Sequence, residues 1–215
     1  GGHGRSLDAF RKSSWKEWAE PIVTEYNELV ALGFSSINIV GASTGGTLVL
    51  ELLSRNIFSE PPNSVTFVDS LVVPRKKLLT IVPYIYPFVS DIKNENFSDE
   101  HKKYWYSINP KEAMRELAIL IKLVRNKLEQ DIAFPEQTTC QIFQATNDPV
   151  VDPQSALLLY EGILLHDGRK PMLSMVESDL HVFTRLSARK KGLVTPNDRS
   201  RQYDVFEQII RLSKQ

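Results

Sequence analysis

The sequence predicts an α/β fold, a mostly parallel sheet with helices on both faces, carrying a helical cap inserted after the second strand. Three observations carry this reading. Short runs rich in β-branched residues alternate with segments of helical periodicity, the pattern of parallel strands joined by crossover helices. One such run, Ile37-Asn38-Ile39-Val40, leads straight into Gly41-Ala42-Ser43-Thr44-Gly45-Gly46 and then a helical segment, so strand, sharp turn and helix follow without a linker. Finally, residues 74–137 separate two strand-like runs by far more than the usual connection of about 4–6 residues. With 215 residues the chain is long enough for one large domain and short for two. The expected division is a core of residues 1–73 and 138–215 with a cap at 74–137.

From the N-terminus, Gly1-Gly2-His3-Gly4 reads as a loop from the middle of a fold, so further strands are expected upstream. The elbow strand would otherwise present an apolar edge. Ser14 with Glu17 three residues on forms a capping box. Trp15, Trp18, Ile22, Tyr26, Leu29 and Val30 then recur at helical spacing, with Gly33 as the stop and Pro21 as an expected kink. A strand at 37–42, the elbow, a helix to about residue 55 and a strand at 64–73 follow.

In the inserted segment, residues 78–89 are strongly apolar but are interrupted by Pro83 and Pro87, too short and too broken to span a membrane. Residues 110–129 read as a helix, with Leu117, Leu120, Ile121, Val124 and Leu128 on one side. Then come a strand at 139–145, a helix at 154–166, a strand at 172–176, a charged loop, and a helix at 203–212. The basic stretch from Arg185 to Lys191 reads as a solvated loop.

Lysine plus arginine and aspartate plus glutamate are equal at 26 each. No net field therefore argues for nucleic acid or an anionic membrane surface, and a small, roughly neutral substrate fits better. Cys140, the only cysteine, cannot form an internal disulfide and lies in an apolar run, where it reads as core. No secretory signal opens the sequence, and no apolar run approaches about 18 residues, so a cytoplasmic protein without stable membrane insertion is expected.

The G-x-S-x-G pattern in its strand, turn, helix context makes Ser43 the first candidate for chemistry. A serine hydroxyl is a poor nucleophile until a base takes its proton, and the base needs an acid to fix its tautomer. Behind such an elbow the acid and then the histidine come from loops at the carboxyl ends of later strands. His181 follows the last predicted strand after Glu177-Ser178-Asp179-Leu180 and is the expected base. His166 reads as a helix C-terminal residue, His101 lies in the charged part of the cap, and His3 precedes the serine.

Asp148 lies just beyond the strand at 139–145 and is the expected acid. Asp152 competes, but it precedes Pro153 and a helix, as an N-cap aspartate does. Asp69, near the end of the strand before the insert, is the other contender. The oxyanion of an acyl-transfer intermediate needs two backbone donors. Thr44 N–H is the expected first. His3-Gly4 is a tempting second, but the 40 positions from His3 to Ser43 hold one helix and one strand where two such units of about 30 residues each are needed. The second donor is therefore expected upstream.

These residues, in this order, resemble the α/β-hydrolase superfamily, and more narrowly its bacterial carboxylesterase and monoacylglycerol lipase group. The resemblance rests on Gly2-His3-Gly4 before a tryptophan-bearing helix, the elbow around Ser43, Asn147-Asp148-Pro149-Val150-Val151-Asp152-Pro153 with Ser155-Ala156, His181-Val182-Phe183, and Tyr106-Ser107-Ile108-Asn109-Pro110 in the cap. It implies a serine hydrolase that needs no cofactor or metal and cleaves a small ester through an acyl-enzyme on Ser43, with Asp148 as acid. Medium-chain esters or monoacylglycerols are the implied substrates. The apolar cap residues Leu78, Leu79, Ile81, Val82, Tyr84, Ile85, Tyr86 and Phe88 are expected to wall an acyl pocket, Leu79, Val82, Ile85 and Phe88 foremost; the alternative for this stripe is cap core or a homodimer contact. An acyltransferase, or an amide or carbon–carbon bond hydrolase, could use the same triad, and an inactive scaffold binding an apolar ligand or a protein partner is the reading from another class. A dehalogenase or epoxide hydrolase is disfavoured, because those relatives carry aspartate where this chain has Ser43.

Overall fold

Among the described residues four parallel strands form the main sheet, in the order β1 (Asn38–Ala42), β2 (Ser64–Val68), β6 (Thr139–Ala145) and β8 (Met172–Val176). The computed structural model describes residues 6–88, 90–93, 106–186 and 194–214. The helices are α1 (Leu7–Lys12), α2 (Trp15–Ala31), α3 (Thr44–Leu53), α4 (Leu78–Ile85) with a 3₁₀ turn at Tyr86–Phe88, α5 (Lys111–Leu128), α6 (Gln154–Gly162) and α7 (Pro196–Leu212). Short strands β3 (Ile92–Lys93) and β4 (Ile108–Asn109) pair antiparallel, and β5 (Ile132–Ala133) pairs in parallel with β7 (Ile163–Leu164).

Neighbouring residues of a strand face opposite sides, so a central strand buried on both faces is apolar throughout. In β2 and β6, Phe67 and Ile142 enter one core cluster while Val68 and Phe143 enter another. The first cluster is completed by α2, α3, α5 and α6 through Trp15, Leu50, Val124 and Leu159, the second by Val205 of α7 and by Phe183. Helices thus cover both faces. Among the described residues β1 ends the strand order, and its Val40 is 54% exposed, as an apolar edge strand would be.

Several elements differ from the sequence reading. The opening loop contains α1, capped by Ser6, whose Oγ accepts from Ala9 N–H, and anchored by buried Phe10. Arg11 of α1 forms ion pairs with Asp91 at 2.5 Å and Glu112 at 2.6 Å, which ties it to the inserted segment. The capping box at Ser14 is present, with Glu17 accepting from Ser14 N–H at 2.7 Å, and α2 runs through Pro21 without ending. Strand β2 stops at Val68 rather than residue 73, because Asp69 adopts φ 44 and turns the chain. Helix α6 stops at Gly162, not residue 166, since residues 163–164 pair with β5. A side chain at Gly162 would meet Leu128 O at 2.5 Å, so glycine lets α6 pass the end of α5. Helix α7 starts at Pro196, seven residues before the expected 203, behind a capping box of Thr195 and Asp198.

Residues 74–137 contribute to the core itself. Leu120, Val124 and Leu128 of α5 belong to the main core cluster. Lys127 donates to Ser54 Oγ at 2.6 Å and Glu51 Oε1 at 3.3 Å, linking α5 to α3. Cys140 is buried, and desolvation pushes its thiol well above the usual range, which makes it a core residue. His3, Gly4, His101 and residues 187–191 of the basic stretch lie outside the described residues.

Candidate active site

Ser43 sits between the end of β1 and the start of α3 with φ 50 and ψ −126, a conformation costing about 1–3 kcal/mol that only surrounding contacts sustain. Those contacts are present. Ser43 N–H donates to Val68 O at 3.0 Å, and Ser43 O accepts from Leu71 N–H at 3.1 Å and Gly46 N–H at 3.1 Å. The strand and helix approach so closely here that a side chain at Gly41 would meet Gly46 Cα at 2.7 Å, and one at Gly46 would meet Ser70 Oγ at 1.9 Å. Gly45 faces open space. The steric need for glycine in this elbow therefore falls on positions 41 and 46.

Asp148 lies in the turn after β6 and is fully buried. Its Oδ1 accepts from Val150 N–H at 2.7 Å and Val151 N–H at 2.9 Å, which leaves Oδ2 for His181 Nδ1 at 2.8 Å. The other imidazole nitrogen, Nε2, is 2.9 Å from Ser43 Oγ. An ionised Asp148 can only accept, so Nδ1 carries the proton and Nε2 is free to take one from the serine. The three expected residues thus form one hydrogen-bonded chain, acid to imidazole to hydroxyl.

The loops that carry the acid and the histidine are joined beyond the strand ends. Thr146 N–H donates to Val176 O at 2.9 Å and Asn147 N–H to Ser178 O at 3.0 Å. Ser178 Oγ then accepts from Leu180 N–H at 3.2 Å. This continuation of the β6 and β8 pairing fixes the distance between Asp148 and His181.

Asp152 is elsewhere employed: its Oδ1 accepts from Gln154 N–H at 3.0 Å, and its N–H donates to Val73 O at 2.9 Å. Pro153 already has helical angles, so Asp152 serves the start of α6 as a cap. Asp69 is fully buried beside the triad, and its Oδ1 accepts from Ala145 N–H at 2.7 Å and Gln144 Nε2 at 3.1 Å. Its Oδ2 accepts from Phe183 N–H at 3.3 Å. Burial, with a smaller push from the Asp148 carboxylate, raises its pKa to about 6 against the pull of those N–H groups and of His181.

Asp69, Asp148 and His181 have ligand-type atoms within 4.8 Å of one another. Both oxygens of each carboxylate already face N–H donors, so this cluster is a hydrogen-bond network and not a cation cradle. Thr44 N–H is the first amide of α3, and the first N–H groups of a helix have no intrahelical acceptor.

The four foremost cap residues do not form one wall. Val82 is fully buried, Ile85 is half-buried and Phe88 is 92% exposed. Leu79 lines a cavity of about 200 Å³ together with Pro74, Ala118, Ile121, Lys122 and Arg125. None of Ser43, Asp148 and His181 lines that cavity. His166 also differs from expectation, because the strand β7 precedes it; it is exposed, 3.9 Å from Glu136. What the sequence reading missed is the second hydrogen-bond network, in which Gln144, Asp69 and Phe183 support the histidine loop. Its one sign in the sequence was Asp69 itself, an aspartate in the strand expected at 64–73.

No protein-family model matches the chain, and a search of curated proteins found no match. Solved structures do match. A metagenome-derived lipolytic enzyme from the pair LipS and LipT superposes with a TM-score of 0.72 at 17% identity, over 98% of this chain and 79% of its own. The monoacylglycerol lipase of Paleococcus ferrophilus gives 0.63 at 14% identity, over 93% and 76%. The monoglyceride lipase of Saccharomyces cerevisiae gives 0.67 at 14% identity, over 93% and 68%. With its parallel sheet, its strand-to-helix elbow and these neighbours, the chain has the α/β-hydrolase fold.

Proposed function

We propose that the protein is a serine esterase in which Ser43 is the nucleophile, His181 the general base and Asp148 the acid that orients it. The observation that carries this is the unbroken chain from Asp148 Oδ2 to His181 Nδ1 at 2.8 Å and from His181 Nε2 to Ser43 Oγ at 2.9 Å. His181 takes the hydroxyl proton as Ser43 Oγ attacks the ester carbonyl. Thr44 N–H receives the developing oxyanion at the positive end of α3. The imidazolium then protonates the leaving alcohol, and an acyl-enzyme remains on Ser43. Water, deprotonated by the same imidazole, attacks the acyl carbon and releases the acid.

The finer reading is a preference for medium-chain acyl esters or monoacylglycerols. It is supported by the apolar surface that the insert exposes at Ile81, Tyr84 and Phe88, which are 47%, 72% and 92% exposed. The lipolytic and monoacylglycerol lipase activities named for the structural neighbours agree with it. Incubation with a fluorophosphonate probe beside a Ser43→Ala control tests the nucleophile. Labelling of the parent alone is the expected result, and a folded parent that resists the probe defeats the proposal. Aryl esters of increasing acyl length test the substrate class: a best rate at about two carbons, falling as the chain lengthens, would overturn the medium-chain reading.

A further inference from the structure

The histidine loop makes an unusual demand on its backbone. Val182, directly after His181, has φ 50, the left-handed region that a β-branched side chain strongly disfavours. Such a conformation persists only where neighbouring contacts over-determine it. Two contacts converge on the next residue. The Phe183 ring is 2% exposed in the core cluster with Val68, Phe143, Ala145 and Val205, and the Phe183 N–H donates to Asp69 Oδ2 at 3.3 Å. Asp69 is itself held by Ala145 N–H and Gln144 Nε2 on its other oxygen.

We propose that Asp69 is a positioning residue for His181: its buried carboxylate ties the strained turn at Val182 to the end of β6, and so sets the imidazole between Asp148 and Ser43. This rests on reading Ser43, His181 and Asp148 as a hydrolytic triad. Asp69 touches neither substrate nor the reacting atoms in this scheme. It acts through the loop.

The charge state of Asp69 then matters. The ionised carboxylate accepts on both oxygens, whereas protonation turns one of them into a donor facing N–H groups. The titratable groups facing it are Asp148, which raises its pKa, and His181, which lowers it; the remaining partners are backbone amides and the Gln144 amide. With the folded pKa pushed up to about 6, the anchor is intact above that pH and is lost as the pH falls through it. Turnover thus acquires a fall in acid that depends on Asp69.

The test uses the whole chain and an aryl ester. In the parent, kcat is expected to fall as the pH drops through about 6, and in Asp69→Asn, which has no carboxyl to protonate there, that part of the fall is expected to be lost. Asparagine can face Ala145 and Gln144 with its oxygen, but its amide then meets Phe183 N–H. At pH 8 kcat is therefore expected to drop on the order of 10- to 100-fold, while KM stays within about 2-fold. Hydrogen exchange of the peptide containing Phe183 should quicken in the variant. Adding Val182→Gly, which accepts the positive φ without strain, should recover several-fold of the lost kcat.

A parent whose kcat stays level from about pH 7 to about pH 5 overturns the proposal, even should Asp69→Asn fail to fold, and so does a folded Asp69→Asn whose kcat falls with pH as the parent's does. So does a folded Asp69→Asn with parental kcat and parental exchange at Phe183, or a double variant no faster than Asp69→Asn. A parent that fails to label at Ser43 defeats the esterase reading instead, and the exchange at Phe183 still decides whether Asp69 holds the loop.

Discussion

Replacing Asp148 with asparagine changes one polar atom at the centre of a fully buried hydrogen-bond pattern, and the structure dictates which way the amide must turn. Oδ1 accepts two backbone N–H groups, from Val150 at 2.7 Å and Val151 at 2.9 Å, while Oδ2 meets a single imidazole nitrogen at 2.8 Å. Setting the amide NH₂ against Val150 and Val151 would leave two backbone donors facing another donor, the buried one at Val151 costing about 1–3 kcal/mol. The oxygen therefore stays on the backbone side and the NH₂ turns to His181. The imidazole must then accept at Nδ1 and carry its proton on Nε2, 2.9 Å from Ser43 Oγ, where a base is needed. The wrong tautomer costs about 10⁴ in turnover, roughly 5 kcal/mol of transition-state stabilisation. The assay is kcat on an activated aryl ester beside an Asp152→Asn variant, with circular dichroism as the check on folding. Asp152 serves the cap of α6, so its variant should lose stability and keep most of its rate. If folded Asp148→Asn retains more than about a tenth of the parental turnover, or Asp152→Asn is the slower enzyme, the assignment of the acid is wrong.

Two further outcomes follow from packing. Gly46→Ala places a methyl group 1.9 Å from Ser70 Oγ and 3.1 Å from Gly41 O, so the elbow must open; thermal stability and fluorophosphonate labelling should both fall, whereas Gly45→Ala, with nothing within 4 Å, should fold like the parent in a melting experiment. Val82 is fully buried and Phe88 is 92% exposed. Val82→Ala should therefore lose about 2 kcal/mol in chemical denaturation, and Phe88→Ala should change stability by less than about 0.5 kcal/mol. Equal losses at the two positions would mean that the side chains of the insert are arranged otherwise.

Strand ends were the legible part of this chain. The runs at 139–145 and 172–176 are the same in sequence and structure: the first carries Thr139, Ile142 and Phe143, and the second is a short, mostly apolar run between turn signals. Since Asp148 and His181 lie within a few residues of those ends, a correct strand reading brought them near Ser43 without any knowledge of the contacts. Helix α1 was hidden for the opposite reason: six residues give less than two turns of periodicity, and only Phe10 is buried. The first turns of α7 carry Asn197, Arg199, Arg201 and Gln202, with no apolar stripe to find, although Thr195, Pro196 and Asp198 spelled out a capped start. In the insert, hydropathy alone does not separate buried Val82 from exposed Phe88. Which face of α4 meets α5 is decided by tertiary packing, and a stripe interrupted by Pro83 does not display it.

Backbone strain marks the site more sharply than residue type does. Ser43, Asn56, Asp69, Asp131, Gln137 and Val182 are the described non-glycine residues with positive φ. Asparagine and aspartate tolerate that region because their short polar side chains bond locally, and Asn56 and Asp131 each lie in the turn that leaves a helix, three residues past its end. Gln137 lies in the turn before β6, away from the site, and Ser43 and Val182 have no such local excuse either. One is the candidate nucleophile and the other adjoins the candidate base, and both are held by atoms around β2: Val68 O takes the Ser43 N–H, and Asp69 Oδ2 takes the N–H after Val182. Asp69 is strained in turn, with its own N–H on Phe143 O. β2 is paired on both sides and buried along its whole length, and a close-packed interior deforms little. Fixing both halves of the serine and histidine pair to that one point makes their 2.9 Å separation a property of the core, not of two independent loops.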